Sequence, residues 1–574
     1  MLRNYQVEML DRVMEAWDSG KRRVLVQMPT GTGKTVLMAE VIRSEKRKVK
    51  SEEFQVLIVA HRRELIEQIK ETLDRRTDKQ NIRVESIQTL SRRIKTTDCT
   101  DFTDYSPKLV IIDEAHHAVA KTYRMLWEQW PEAKFLGLTA TPCRLSGEGF
   151  EDLFDTMLQA NDIQWFIDEG WLSDFEYVSA RPDSLMMHGI GQLKKRGADG
   201  DYQTKEMATV MDVPESIAHL YKSYEAFAWG KKGIVYAIDR AHARHIAEYY
   251  TEHGVRACVI DAKTSADDRR QLVDAYRQQT IDVIVNVDIF SEGFDCPEVE
   301  FIQLARPTLS LCKYLQQVGR GMRVSAGKDC VLILDNVGLY QTFGLPTDAR
   351  DWRLMFEGRM AGKGQAGEEK PVFIRDTDEH QTALVNLEMV RIKRRGEKHE
   401  GLEVYLLRGK YGVMRDGKVA MPAQFERVKK EGDVFICTRL QGKMVYWDAK
   451  GGRIYNTMPQ FERIKRFEVA KAGQQLFMRK QLKGWEQPFN MESVFIGDHF
   501  TILGNALIIE NDIRQTYRIR GYQAGFIYVE SHDAPGYKYG EISRFGNFVG
   551  RRNYLPDDMS PNPDLRRLGL RRIK

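Results

Sequence analysis

Short apolar runs alternate with amphipathic segments over residues 1–350. Runs such as "VLVQMP", "QVLIVAH" and "KLVIIDE" have the length and composition of buried strands. Between them, "TVLMAEVIRSEKRK" and "RELIEQIKETLDRR" place apolar residues every three or four positions, which is typical of helices with one buried face. Because strands that alternate with helices favour a parallel sheet with crossover helices, we expect an α/β fold here.

The alternation occurs twice, so we expect two parallel-sheet domains in tandem. The first covers residues 1–175, and the second covers 215–355, where "GIVYAI", "DVIVNV" and "CVLILDN" are predicted strands. Residues 176–214 are less periodic and are predicted to be an insertion or connector. Residues 356–385 are rich in Gly, Lys and Glu, which predicts a linker.

Residues 386–574 have a different pattern, with many short strand-like runs, glycines and aromatic residues. The segment "PAQFERVKK" (422–430) recurs 36 residues later as "MPQFERIKR" (458–466). Each copy follows a strand, turn and strand pattern. We predict a β-rich accessory domain with repeated units over about 401–500, although chance duplication of one hairpin is an alternative.

Charge separates the same two regions of the chain. Residues 391–574 carry 35 Lys and Arg against 21 Asp and Glu, a net charge of +14. The whole chain carries +5, so residues 1–390 carry −9. A basic module is typical of proteins that bind a polyanion, but a solvated basic surface explains the charge equally well.

Composition excludes several classes of protein. No apolar run reaches about 18 residues, so no membrane span is predicted. The N-terminal "MLRNYQVEMLDRVMEAW" lacks an apolar signal core, which disfavours secretion. The 7 cysteines are scattered without a C-x-x-C pair, so the sequence predicts neither a zinc ribbon nor a disulfide framework, and a cytoplasmic location is expected.

The stretch "QMPTGTGKTVLM" (27–38) follows a predicted strand and opens a predicted helix. It departs from the strict phosphate-loop pattern because Met28 stands where the first glycine is expected. The rest of the pattern is intact and predicts nucleotide binding by Thr30, Gly31, Thr32, Gly33, Lys34 and Thr35. In this arrangement Lys34 reaches the β- and γ-phosphates, and Thr35 is a ligand of Mg²⁺.

The stretch "IIDEAHH" again ends a predicted strand. Asp113 is placed to hold Mg²⁺, and Glu114 is placed to polarise an attacking water as general base. A zinc site would need several converging ligands, whereas adjacent side chains on an extended chain point apart. We therefore predict one carboxylate for the metal and one for the water.

Further polar motifs follow predicted strands in both domains. "LRNYQ" places Arg3 and Gln6 before the first helix, where Gln6 can read an adenine edge. "QQVGRGMR" places Arg320 and Arg323 three residues apart on a helix, so both face one side. An arginine pair aimed across a cleft suits the transition state of phosphoryl transfer.

Taken in order, these motifs resemble those of superfamily 2 helicases. The series is "LRNYQ", "PTGTGKT", "AHRREL", "DEAH", "TATP", "SEGFD" and "QQVGRGMR", and it covers about three-fifths of the chain. It is similar to the restriction-type and RadD-like bacterial helicases. The resemblance implies two RecA-like domains that bind ATP and Mg²⁺ in the cleft between them.

The resemblance also implies roles for individual residues. Thr139 and Thr141 of "TATP", together with His116, couple hydrolysis to movement. Gly293 and Asp295 sense the nucleotide from the second domain, and Asp113, Glu114, Arg320 and Arg323 are catalytic with Lys34. Candidate nucleic-acid contacts are Arg62, Arg63, Gln88, Thr89, Lys263, Thr264, Ser291 and Arg306.

The C-terminal region departs from RadD-like proteins, which carry cysteine clusters after the motor. Residues 401–500 instead resemble WG repeats. One prediction is that this region binds a protein partner. The sequence favours an ATP-dependent translocase on DNA, acting in repair, restriction or phage defence. An RNA-directed helicase and an ATPase subunit that remodels a protein partner remain alternatives.

Overall fold

The protein is described from a computed structural model. The described residues are 2–49, 54–61, 66, 69–70, 73, 81–95, 105–117, 120–287, 296–361, 372–374, 384, 386–392, 401–407, 409–439, 442–464, 467–472, 475–479, 494–496, 500–503, 506–509, 512–530, 537–543, 547–568 and 570–572. Within them, the chain divides into two compact units, residues 1–398 and 399–574.

A first parallel sheet forms the core of the N-terminal domain. Its strands run in the order β3-β2-β4-β5-β1-β6. They are β1 Arg23–Gln27, β2 Val56–Ala60, β3 Ile82–Ser86, β4 Leu109–Asp113, β5 Lys134–Thr139 and β6 Thr156–Gln159. Every residue of β2 and β4 is buried, as expected for a parallel sheet covered on both faces.

Helices cover this sheet where the sequence has amphipathic segments. They are α1 Asn4–Asp18, α2 Lys34–Val49, α3 Ile87–Lys95, α4 Ala120–Gln129 and α5 Ile163–Asp168, with a 3-10 turn at Ala115–His117. On α1, the four residues Tyr5, Met9, Val13 and Trp17 are spaced by one helical turn and all lie in the core. This spacing places one face of the helix against the sheet.

A second, mainly parallel sheet forms the core of the next domain, in the order β14-β7-β12-β11-β8-β10-β9. Its strands are β7 Asp174–Ala180, β8 Gly233–Tyr236, β9 Ala257–Ile260, β10 Val283–Asn286, β11 Phe301–Leu304, β12 Cys330–Asp335 and β14 Met389–Ile392. The short strand β13, Val372–Ile374, is not part of this sheet. The helices are α6 Leu185–Gly191, α7 Thr204–Met211, α8 Pro214–Phe227, α9 Arg240–Glu252, α10 Ala266–Arg277, α11 Leu311–Gly321, α12 Leu339–Phe343 and α13 Trp352–Phe356.

Two strands of the second sheet come from segments that the sequence placed elsewhere. β7, mostly inside the predicted connector, pairs in parallel with β12. β14, inside the predicted accessory domain, pairs antiparallel with β7 at the sheet edge. Pairing partners lie far apart along the chain, so a local pattern identifies a strand without identifying its sheet.

After the second domain, the chain returns to the first. The backbone N–H of Phe150 donates to the carbonyl of Phe356 at 2.7 Å, and the two rings stack at 6.4 Å. Phe356 is buried in the core of the first domain. The two parallel-sheet domains are thus joined by the connector and again by this return segment, residues 350–361.

The C-terminal unit consists of antiparallel strands in the residues that the structure describes. Its strands are β15 Leu402–Leu407, β16 Lys410–Arg415, β17 Lys418–Phe425, β18 Arg427–Glu431, β19 Val434–Thr438, β20 Met444–Asp448, β21 Arg453–Tyr455, β22 Gln460–Ile464, β23 Phe467–Ala472, β24 Gln475–Met478, β25 Val494–Ile496, β26 Phe500–Leu503, β27 Ala506–Ile509, β28 Asp512–Gln523, β29 Phe526–Glu530, β30 Tyr539–Ile542, β31 Phe548–Arg552 and β32 Arg571–Arg572, with helix α14 at Leu565–Leu568.

Both copies of the duplicated sequence segment lie where one sheet of this unit ends and the next begins. The first copy spans the step from β17, the last strand of one sheet, to β18, the first strand of the next. The second copy begins the following sheet at β22, directly after β21 ends its own sheet. Arg479 ties these sheets together through ion pairs with Asp433 at 2.7 Å, Asp448 at 3.0 Å and Glu468 at 3.2 Å.

Within the described part of the chain, we find no helix with the length and apolar character to span a membrane.

Candidate functional site

The turn between β1 and α2 depends on two glycines. Gly31 and Gly33 have φ angles of +86° and +87°, a conformation that strains other residues. A Cβ atom at Gly33 would lie 2.5 Å from the Gln6 Nε2 atom. Helix α2 begins at Lys34 directly after the turn, and a helix N-terminus favours an anion. The turn therefore has the features of a phosphate-binding loop, here called the P-loop (residues 29–35).

Side chains near the N-terminus hold the P-loop in place. The Tyr5 hydroxyl and the Gln6 Nε2 group donate to the Thr32 carbonyl at 2.8 and 3.1 Å. Gln6 Oε1 accepts from the Arg3 backbone N–H at 3.0 Å, and the Arg3 guanidinium lies 4.6 Å from the Trp171 ring centroid. Arg3 and Gln6 thus lie beside the P-loop. The sequence did not single out Tyr5 or Trp171, because an isolated aromatic residue resembles an ordinary core residue.

The two acids of "DEAHH" lie at the carboxyl end of β4. Asp113 is the last residue of this strand, and Glu114 follows with a φ of +49°. Only β5 separates β4 from β1, and these strands are parallel. Both acids therefore lie at the carboxyl ends of the strands, where the P-loop also begins. They are 6% and 7% exposed. Carboxylate and hydroxyl oxygens suit Mg²⁺, and Asp113 with Thr35 would hold an ion that neutralises phosphate charge.

His116 connects Glu114 with the next strand and with the second domain. Its Nδ1 atom lies 3.3 Å from Glu114 Oε2 and 3.0 Å from Thr139 Oγ1. Its Nε2 atom lies 3.3 Å from the Gln316 Nε2 amide of the second domain. If the amide donates, Nε2 accepts and Nδ1 carries the proton toward Glu114 and Thr139. Gln316 was missed by the sequence analysis, although it lies within the quoted motif "QQVGRGMR".

The neighbouring His117 has a packing role. Its ring stacks on His61 with centroids 4.5 Å apart, and its N–H donates to the Glu114 carbonyl at 3.0 Å.

Thr139 and Thr141 extend the contact between the domains. The backbone N–H of Thr141 donates to Thr139 Oγ1 at 3.1 Å, and its own hydroxyl lies 2.9 Å from Cys312 Sγ in the second domain. The pair therefore links the end of β5 to helix α11. This position fits the predicted coupling role, which stays a prediction.

Helix α11 (Leu311–Gly321) is called the arginine helix, because Arg320 lies on it and Arg323 follows it. Arg320 is 5% exposed. A Cβ atom at Gly31 would lie 3.3 Å from Arg323 Cγ, so the stem of Arg323 packs against the P-loop. Burial raises the pKa of Tyr236, and the positive charges of Arg320 and Arg323 oppose that rise. Both arginines therefore lie close enough to Tyr236 for their charges to affect it, and their role in hydrolysis stays a prediction.

Other predicted residues are placed less directly. Gly293, Asp295, Ser291, Arg62 and Arg63 lie outside the described residues. Among the remaining nucleic-acid candidates, Gln88 and Lys263 are exposed, Thr89 and Thr264 are half-buried, and Arg306 is 7% exposed. Their roles remain predictions, and the burial of Arg306 makes it the least accessible to a nucleic-acid backbone.

The P-loop and the two buried acids thus face the arginine helix of the second domain, with Arg323 against the P-loop. This set is suited to hydrolysing a nucleoside triphosphate. The family model of the type III restriction enzyme res subunit matches residues 1–81 and 71–144. The model of the helicase conserved C-terminal domain matches residues 215–325.

A 51.5 kDa protein of a Lactococcus phage is 33% identical over 342 residues, which cover 59% of this chain and 71% of the phage protein. The chain belongs to the superfamily 2 helicases. Members of this superfamily are ATP hydrolases, so the helicase is an ATPase that acts on nucleic acid.

The helicase resembles further proteins at lower identity. A Saccharomyces cerevisiae protein named ATP-dependent helicase IRC3 is 28% identical over 366 residues, or 59% of this chain and 52% of that protein. The DNA 3'-5' translocase XPB2 of Sulfurisphaera tokodaii is 24% identical over 375 residues, or 58% of this chain and 80% of XPB2. The helicase thus spans about half the length of IRC3.

Among solved structures, a fragment of an HsdR subunit of a type I restriction enzyme from Vibrio vulnificus matches with a TM-score of 0.45. The match has 20% identity and covers 62% of this chain and 66% of that chain.

Proposed function

We propose that this helicase is an ATP-driven translocase on DNA that acts in repair, restriction or phage defence. The observation that carries the proposal is the contact of His116 with Glu114 on one side and with Gln316 of the second domain on the other. A change in the distance between the domains would alter the surroundings of the general base. Hydrolysis and domain movement are then linked through one side chain.

In this mechanism, each residue has the role that its sequence motif predicts. Gln6 reads the adenine, Lys34 reaches the β- and γ-phosphates, and Glu114 accepts a proton from the attacking water. Arg320 and Arg323 stabilise the charge that develops on the γ-phosphoryl group. When phosphate leaves, the arginines lose their partner, and the domains separate.

DNA is favoured over RNA by the names of the matched family and relatives. The first domain matches a restriction-enzyme subunit, and XPB2 is named as a DNA translocase. Strand contacts through exposed residues such as Gln88 and Lys263 would be made mostly to phosphates. Binding should therefore depend strongly on salt and weakly on sequence.

A cytoplasmic location is part of the proposal. It is supported by the scattered cysteines, which form no C-x-x-C pair in the sequence.

The C-terminal unit is proposed to contain WG-like repeats that bind DNA or a protein partner. Support comes from the duplicated segment, since both copies, at β17–β18 and at β22, lie where one sheet ends and the next begins. Deleting residues 399–574 should preserve basal ATP turnover. If stimulation by DNA also survives, the unit serves a partner rather than the grip on DNA.

The decisive experiment compares ATP turnover with single-stranded DNA, duplex DNA and RNA, with Glu114→Gln as the blank. The proposal requires stronger stimulation by DNA than by RNA. Stimulation by RNA alone would identify an RNA-directed helicase. No stimulation by any nucleic acid would favour an ATPase that remodels a protein partner.

A further inference from the structure

The arginine helix contacts the first domain along one face. Three positions on this face and Arg323, just after the helix, meet the first domain: Cys312 meets Thr141, Gln316 meets His116, Gly319 meets Thr30 and Arg323 meets Gly31. The spacings of four and three residues within the helix correspond to one turn each. The axial position of this one helix therefore decides whether all these contacts form together.

A buried acid from the connector holds the beginning of this helix. Asp201 is 0% exposed and accepts hydrogen bonds from the Leu309 N–H at 2.7 Å and the Thr308 hydroxyl at 2.7 Å. It also forms an ion pair with Lys313 at 3.0 Å, on the first turn of the helix. Three groups around the helix N-terminus thus converge on one carboxylate.

The connector is built to present this carboxylate. Asp201 lies in a tight turn between α6 and α7, in which the Gly197 N–H donates to its carbonyl at 2.8 Å. Arg196 and Tyr202 form a β-bridge on either side. Burial by itself would raise the pKa of Asp201, but the charge of Lys313 and the hydrogen bonds hold that pKa below its usual value. The carboxylate is therefore charged at neutral pH.

We propose that Asp201 is a positioning residue for ATP hydrolysis, because with Lys313, Thr308 and Leu309 it fixes the start of the arginine helix against the connector. This inference rests on the proposed roles of Arg320 and Arg323. A shift of about 1 Å at a reacting centre can cost about 100-fold in rate. The connector is then a structural part of the ATPase site.

The test uses the full-length chain, with turnover measured in the presence of the nucleic acid that stimulates it most. Asp201→Asn and Lys313→Met should each lower kcat by roughly 10- to 100-fold, while the KM for ATP changes by less than about 3-fold. The double variant should be little worse than Lys313→Met alone, because both changes remove the ion pair between Asp201 and Lys313, whereas Lys313→Met also removes the pair with Asp199 at 3.3 Å. Lys313→Arg, which keeps the ion pair, should retain most of the turnover.

Asp155→Asn is the matched control for loss of stability. Asp155 binds Arg23 at 2.5 Å. Arg23 is the first residue of β1, whereas the P-loop follows the last residue of this strand. Its loss should lower the thermal midpoint and leave kcat within about 2-fold of the wild type. An equal loss of kcat in Asp155→Asn and Asp201→Asn would overturn the inference.

Other outcomes separate this inference from the function on which it rests. If Asp201→Asn does not fold, Thr308→Val removes one of the three contacts and should lower kcat by several-fold. If Arg320→Ala lowers turnover but folded Asp201→Asn, Lys313→Met and Thr308→Val do not, the positioning role is wrong. If Arg320→Ala keeps normal turnover, the role of that arginine in hydrolysis is wrong, whatever Asp201 does.

Discussion

Gly319 of the arginine helix lies directly against Thr30 of the P-loop. A Cβ atom at Gly319 would stand 2.7 Å from Thr30 Cβ, closer than two carbon atoms pack. Two residues later, a Cβ atom at Gly321 would stand 2.6 Å from Val331 Cγ2 on the second sheet. The two glycines of "QQVGRGMR" therefore let the helix approach the P-loop and its own sheet closely.

Replacing Gly319 with alanine should force the arginine helix away from the P-loop. We expect Gly319→Ala to lower kcat for ATP by roughly 10-fold or more, because the arginines move with the helix. Gly191→Ala is the matched control, since a Cβ atom there would meet nothing within 4 Å. Steady-state ATP turnover measures the effect, and equal turnover in both variants would contradict the close contact.

Glu114→Gln should remove the general base while preserving the shape of the site. We expect a loss of turnover of about 100-fold or more, with ATP binding retained. A control is Glu132→Gln, since Glu132 is exposed and pairs with Arg22 on the surface at 2.8 Å. Turnover and nucleotide binding should be measured separately, and near-normal hydrolysis by Glu114→Gln would show that another group activates the water.

Gln316→Leu should weaken the coupling between nucleic acid and hydrolysis. Its amide lies 3.3 Å from His116 Nε2, and leucine keeps the volume without a hydrogen bond. We expect the stimulated turnover to fall several-fold more than the basal turnover. The adjacent buried Gln317 provides a control as Gln317→Leu, and an equal ratio of stimulated to basal rate in both variants would argue against the relay.

Lys328 should make stability depend on pH above neutrality. It donates to the carbonyls of Gly321 and Arg323 at the end of the arginine helix and to the carbonyl of Pro297 before β11, and burial lowers its pKa to about 8. In the unfolded chain its pKa is about 10.4. Between these two pKa values, Lys328 is protonated in the unfolded chain and neutral in the folded chain. The free energy of unfolding therefore rises as pH increases through this window, and the gain is lost as pH falls through 8.

Denaturant unfolding from pH 7 to 10.5 tests this sign. The free energy of unfolding of the wild type, relative to that of Lys328→Met, should rise by roughly 1–3 kcal/mol from pH 7 to pH 10.5. A constant difference would mean that Lys328 titrates normally.

The α/β architecture of residues 1–350 was predictable because its signals are local. Buried parallel strands are apolar runs, and α1 and α2 carry their apolar residues at helical spacing. The P-loop and "DEAHH" were also visible, since backbone geometry and charge placement there require particular residues next to each other. Gly31, Gly33 and the acids at the end of β4 are examples.

Other features depend on contacts between segments far apart along the chain. The sequence predicted a connector from residue 176 onward, and no local pattern shows that Asp174–Ala180 pairs with β12. It shows an aspartate at position 201, but only the fold brings this carboxylate to Lys313, 112 residues away. The glutamine at 316 likewise gains its meaning from His116, 200 residues away.

The sequence by itself determined the superfamily resemblance and the two α/β domains, and it predicted residues for each side of the nucleotide cleft. Those features follow from local backbone requirements and from hydrophobic periodicity. Only the tertiary structure decided that the connector carboxylate at Asp201 holds the arginine helix and that Gln316 contacts His116. The physical reason is that a buried ion pair or a single hydrogen bond has no local pattern, because its partners are selected by packing.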